Sequence, residues 1–241
     1  MARKPTDEVT ARPFAGFGPG ALPFLRDLAA NQNREWFLAN KPTFERDLHA
    51  PLGALVDALA FAFAAHDISL TGDAKRSLFR MNRDVRFSKD KSPYKTNAGA
   101  VMTRDGLKTS NGLLYIQIGG EAGSFMAAGF YHADPKDLAV LRQAIVEDEQ
   151  RWLDLEGALA EAGLPLGMGD ALIRTPKGFE AYARSPVVEA LKRRNFVVTR
   201  QIPVERLAET ALIDDIVAFA EIALPLLHFG WRALDRARTG Q

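Results

Sequence analysis

The sequence contains no cysteine. That excludes disulfide staples, a thiolate nucleophile and every cysteine-based metal site, and it fits a reducing cytoplasm as the expected location. Histidine is scarce too. The four residues, His49, His66, His132 and His228, stand too far apart for an H-E-x-x-H or similar ligand pair. No G-x-x-x-x-G-K-[ST] phosphate loop and no G-x-S-x-G nucleophile elbow occurs. The longest apolar run, Ala58 to Ala65, is only eight residues between Asp57 and His66. A helix needs about 20 residues to cross a hydrocarbon layer, so no membrane partner is expected. Asp7, Glu8 and Arg12 interrupt the N-terminal stretch where an export signal would be apolar. No cofactor and no metal are expected either.

What remains has the balance of a globular chain. Apolar residues make up 47% of the 241 and charged residues 25%, with a formal net charge of +1. No internal repeat and no low-complexity linker interrupts it. The expected organisation is a mobile tail over residues 1–13 and one domain over 14–241. Gly16 to Gly20 reads as a hinge between them. A helix is expected over Ala21 to Ala30, and Asn33 reads as the N-cap of a second that reaches Ala65, with Pro42 and Pro51 breaking or kinking it. Leu52, Leu55, Val56, Leu59 and Phe63 recur at the spacing of one buried helical face. Short strands are expected at Tyr94 to Thr103, Leu113 to Ile118 and Ser124 to Tyr131, joined by turns at Asp105-Gly106, Asn111-Gly112 and Gly119-Gly120. Helices return at Asp134-Pro135 and Ser185-Pro186, which place an N-cap before proline. The run Glu147-Asp148-Glu149 reads as a solvated helix face, and Lys192 to Arg194 as cations at a helix C-terminus. A further strand is expected over Phe196 to Gln201, then a long amphipathic helix through Leu212, Ile216, Phe219, Ala220 and Ala223. The fold class is therefore α+β: an antiparallel sheet packed by N-terminal and C-terminal helices.

Charge is concentrated in one place. From Lys75 to Lys95 eight cations face only Asp84 and Asp90, a net +6 in 21 residues, so the other 220 carry −5. Such a concentration in a nearly neutral chain marks an anion site. Arg80, Arg83 and Arg86 recur every three residues and converge only if the segment bends. A strand is expected to enter near Arg76, an irregular loop to begin near Asn82, and a strand to leave at Tyr94. Guanidinium forks match phosphate or carboxylate oxygens. Arg80, Arg83, Arg86, Lys91 and Lys95 are thus the candidate ligand-binding residues. Asp84 is the candidate base and Tyr94 the candidate acid. Phe87 reads as a core anchor.

The stretch R-M-N-R-D-V-R-F-S-K-D-K-S-P-Y, Arg80 to Tyr94, resembles the signature R-x-x-R-D-x-R-F-x-x-x-K-x-x-Y of a bacterial family known as domain of unknown function 2461. Arg80, Arg83, Asp84, Arg86, Phe87, Lys91 and Tyr94 match it. The stretches Asn33 to Lys41 and Thr175 to Phe179 are also similar to the family. The resemblance carries over no catalytic residue, since the family has none assigned.

Three functions fit this sequence. The leading expectation is a protein that binds a phosphorylated or other anionic small molecule, with hydrolase or transferase chemistry as its enzymatic form. The second is single-stranded nucleic-acid binding, with Phe87 and Tyr94 stacking bases. The third is a non-enzymatic interaction protein whose arginine motif is structural.

Overall fold

The computed structural model describes residues 13–167 and 169–240. Residues 1–12 of the expected tail lie outside that range. The chain opens with α1 (Ala21–Ala30) and α2 (Arg34–Thr43). Asn33 caps α2 as its sequence predicts, accepting the Trp36 N–H at 2.8 Å. A six-residue π-helical turn, Phe44–His49, then leads directly into α3 (Ala50–Ala65). The helix therefore widens between Pro42 and Pro51 instead of breaking. A π turn re-pairs the carbonyls around a position where proline removes a donor. The continuous helix Arg34–Ala65 has the length and composition to cross a membrane. In the fold its apolar stripe, Leu52, Leu55, Val56, Leu59 and Phe63, is buried in the core.

Gly16 to Gly20 is clamped rather than hinged. The carboxylate of Asp47, buried in the π turn, accepts the Gly20 N–H at 3.1 Å. A side chain at Gly18 would meet Asp47 Oδ1 at 2.4 Å. The backbone must come this close for the carboxylate to be satisfied, and only glycine permits it.

After a short α4 (Ala74–Ser77), the sheet follows as β1 (Asn97–Thr103), β2 (Leu113–Gly119) and β3 (Phe125–Phe130). The helices α5 (Pro135–Glu147), α6 (Glu149–Glu161) and α7 (Val188–Lys192) intervene before β4 (Phe196–Gln201), and α8 (Leu212–Thr239) closes the chain. All strands are antiparallel in the order β1-β2-β3-β4. Asp148 separates α5 from α6 and caps the latter, so the acidic run is a helix junction, not one helical face.

Side chains alternate across the sheet. Ala100, Met102, Leu114, Ile116, Ile118, Ala128, Phe130 and Val198 point into the core, where α3 packs on β1 and α8 on β3. The opposite face presents Asn97, Tyr115, Gln117 and Phe125, all half-buried. That face, along β1, is where the basic segment lies.

Candidate functional site

The basic segment is an irregular hairpin lying along β1. Leu78 bridges Ala100 and Asn82 bridges Tyr94. The Phe79 N–H donates to Gly99 O at 2.9 Å, Lys95 N–H to Met81 O at 2.7 Å and Arg83 N–H to Pro93 O at 2.8 Å. The strand expected to enter near Arg76 instead starts after Ser77, because Asp73 caps α4 and its carboxylate takes the Lys75 and Arg76 N–H groups. Likewise Tyr94 makes an isolated bridge, and the regular strand begins at Asn97.

Two buried side chains root this arm. Met81 packs into the core, and the Tyr94 ring stacks on Phe37 with centroids 4.5 Å apart and planes 8° from parallel. The Tyr94 N–H donates to Gln32 Oε1 at 3.0 Å, tying the return strand to the end of α1. Tyr94 is 6% exposed, so its ring is an anchor. Phe87 does the reverse of what its sequence predicts. It stands 96% exposed near the tip, with the Arg86 guanidinium 5.8 Å from its ring centroid. Met81 and Tyr94 are the arm's buried anchors instead.

The arginines divide by partner. Arg86 grips Asp84 in a forked ion pair, with Nη2 to Oδ2 at 2.7 Å and Nε to Oδ1 at 2.9 Å. That pairing holds the Asp84 carboxyl below its ordinary pKa, with Arg80 nearby adding to the effect. An aspartate so held stays ionised and is a weak proton acceptor. Arg83 is paired with Asp90, whose carboxyl is pushed well below the usual range by Ser92 and Arg83. Lys91 reaches back across the loop, donating to Val85 O at 2.9 Å.

Arg80 and Lys95 make no ion pair among the described residues. Lys95 is half-buried, 5.1 Å from the centroid of the Phe79 ring, and Lys108 lies 5.0 Å from the same centroid. The Phe79 ring leans on Tyr115, centroids 6.1 Å apart, across the open face of the sheet. Burial lowers the Lys95 pKa, and the charges of Arg80 and Lys108 lower it further. Burial alone lowers that of Lys108, whose ammonium donates to Leu78 O. Beside Lys95 opens a hollow of about 270 Å³, lined by Arg83, Asp90, Ser92, Tyr94, Lys95 and Asn97 with Gln32 at one end. Of the residues singled out in the sequence, Arg83, Tyr94 and Lys95 face this hollow. Arg80, Asp84, Arg86 and Lys91 lie outside its lining. Lys108 escapes sequence reasoning because it stands in the β1–β2 connection, and only the fold carries it to Phe79.

The family model described as "Conserved hypothetical protein (DUF2461)" matches residues 20–229. The chain belongs to this family. The match spans the basic arm, all four strands and most of α8. No curated protein and no solved structure matches the chain.

Proposed function

We propose that this DUF2461 protein binds a phosphorylated or similarly oxyanionic small molecule on the open sheet face, between Lys95, Lys108 and Arg80. The observation that carries this reading is that Lys95 and Lys108 stand together over the Phe79 ring, with the Arg80 charge acting on Lys95, and that none of the three makes an ion pair among the described residues. Like charges held together, with Lys95 half-buried among them, cost free energy, and a bound counterion recovers it. Elsewhere on the arm Arg83 and Arg86 each have their own aspartate. Those two arginines shape the loop, and the ligand meets the cations that have no such partner. Asn97 and Gln117, joined amide to amide at 3.0 Å beside the Tyr115 hydroxyl, give the same face a neutral polar surface whose amide donors are already engaged within the fold. Tyr94 positions the arm. Asp84 keeps Arg86 in place, and a hydrolase or transferase step through Asp84 would first have to loosen that pair.

Titration calorimetry with inorganic pyrophosphate tests the reading. K95Q should weaken binding at least tenfold with the melting temperature preserved, since a charge-assisted hydrogen bond contributes about 1.5–3 kcal/mol. Affinity should also fall as pH rises through the lowered Lys95 pKa, below the ordinary lysine range, because the cation is then lost. Absence of binding, or K95Q binding as well as the parent, would refute it.

A second reading has one observation in its favour. The fully exposed Phe87 beside Arg86 is a platform on which a base could stack. On this reading the arm tip holds single-stranded nucleic acid through Phe87 alone, because Tyr94 is already stacked on Phe37.

A further inference from the structure

The helical side of the molecule carries a second group of cations that breaks two electrostatic rules. Arg232 and Arg236 stand one turn apart on α8, and Arg151 joins them from the first turn of α6 around a hollow of about 200 Å³. Like charges four residues apart on a helix repel. A cation in the first turn, as Arg151 is, opposes the helix dipole. Arg236 alone has an ordinary explanation, since it sits in the last turn of α8 where a cation is favoured. Burial, then Arg151 and Arg236, hold the Arg232 guanidinium below its ordinary pKa. Among the described residues no carboxylate forms an ion pair with Arg151, Arg232 or Arg236. Glu147 and Asp148 line the same hollow without forming an ion pair with these arginines. Glu147 accepts from Gln143 Nε2 at 2.9 Å, and Asp148 accepts the Arg151 backbone N–H at 3.3 Å.

The hollow does not end at the arginines. It shares Ala144, Glu147, Ala233 and Arg236 with a second hollow of about 410 Å³ that runs on between α5 and α8. The walls there are Val140, Ala144, Ala233 and Ala237, with Gln143 beside them. Alanine at three of these positions keeps the two helix surfaces shallow, leaving an apolar trough with its cationic end at Arg232 and Arg236. Charge and shape together call for a ligand with an anionic head and an apolar body.

We propose that the α5–α8 cleft binds an anionic amphiphile, its oxyanion head held by Arg151, Arg232 and Arg236 and its chain laid along Val140, Ala144, Ala233 and Ala237. This site is separate from the basic arm. A phosphate monoester and a carboxylate share the required head-group chemistry.

The test is calorimetry on the full chain with octyl phosphate, octanoate and inorganic phosphate, all below micellar concentrations. Octyl phosphate should bind at least tenfold more tightly than inorganic phosphate. R232Q should weaken octyl phosphate at least fivefold. A237Q, on an exposed helical position, lays a polar but uncharged side chain in the trough and should weaken octyl phosphate while leaving inorganic phosphate unchanged. Each titration is repeated in a K95Q background, where phosphate binding at the arm is weakened, and the losses caused by R232Q should persist there, which keeps this site distinct from the arm. Octanoate binding as tightly as octyl phosphate would support the proposal with a carboxylate head. Octyl phosphate binding no better than inorganic phosphate, or R232Q without effect, would overturn it.

Discussion

Phe87 and Asp47 show how differently two single residues serve this protein. Phe87 makes almost no contact with the rest of the fold. Its replacement, F87A, should change stability by no more than about 0.5 kcal/mol in urea denaturation, as for other exposed sites. If the arm tip stacks bases, the same variant should lose binding to a single-stranded oligonucleotide in fluorescence anisotropy at low salt. Unchanged anisotropy would remove the nucleic-acid reading. Asp47 is buried and holds Gly20 N–H and the Arg46 guanidinium, the latter with Nε at 2.6 Å from Oδ1. The Arg46 hydrogen bonds hold its carboxyl below the ordinary aspartate pKa. A carboxyl so shifted adds stability above its unfolded pKa and loses it as pH falls through the lower folded value. D47A should cost about 1–3 kcal/mol at neutral pH. Its deficit relative to the parent should shrink in acid, which paired denaturation curves at pH 7 and pH 3 would measure.

At the scale of elements, the long path from β3 to β4 depends on one buried ion pair. Arg193 follows α7, where a cation would be expected to face solvent and offset the dipole. Instead it is 5% exposed, reaching Glu156 on α6 at 2.6 Å, and its carbonyl accepts Arg142 Nη2 at 2.9 Å. These contacts tie α5, α6 and the start of β4 together. Removing one partner of such a pair leaves a buried charge uncompensated, so E156A should lose about 3 kcal/mol. E156Q keeps an acceptor for the guanidinium and should lose less. Equal losses in chemical denaturation would show that packing, not the ion pair, sets the cost. The arm follows a related logic. Its course comes from Met81, Tyr94 and two aspartate–arginine pairs within it, while its hydrogen bonds to β1 hold it against the sheet edge.

Over the whole molecule, the helices cover one face of the sheet and leave the other face to the arm. This arrangement converts a basic stretch into a local field on a nearly neutral protein. The rest of the chain carries −5, so positive charge is concentrated on the arm rather than spread over the surface at large. Binding of a compact anion to either place should weaken with added salt far less steeply than binding of a long nucleic acid, which releases many counterions.

Much of this was legible in the residues. Period and capping signals placed α1, α2, α5 and the core stripe of α8, and the glycine turns placed the hairpins of β1 to β3, because these features depend on neighbours a few positions away. The basic segment and its family signature were equally readable. Which of its cations have partners was not. Asp84 and Asp90 take Arg86 and Arg83 by loop geometry. Phe87 stands outward at the tip, while Tyr94 is the ring that stacks on Phe37. Lys108 and the trio of Arg151, Arg232 and Arg236 assemble from segments distant in the chain. Local order follows from spacing along the chain; a binding surface depends on charges brought together by long-range packing, and only the tertiary structure decides those meetings.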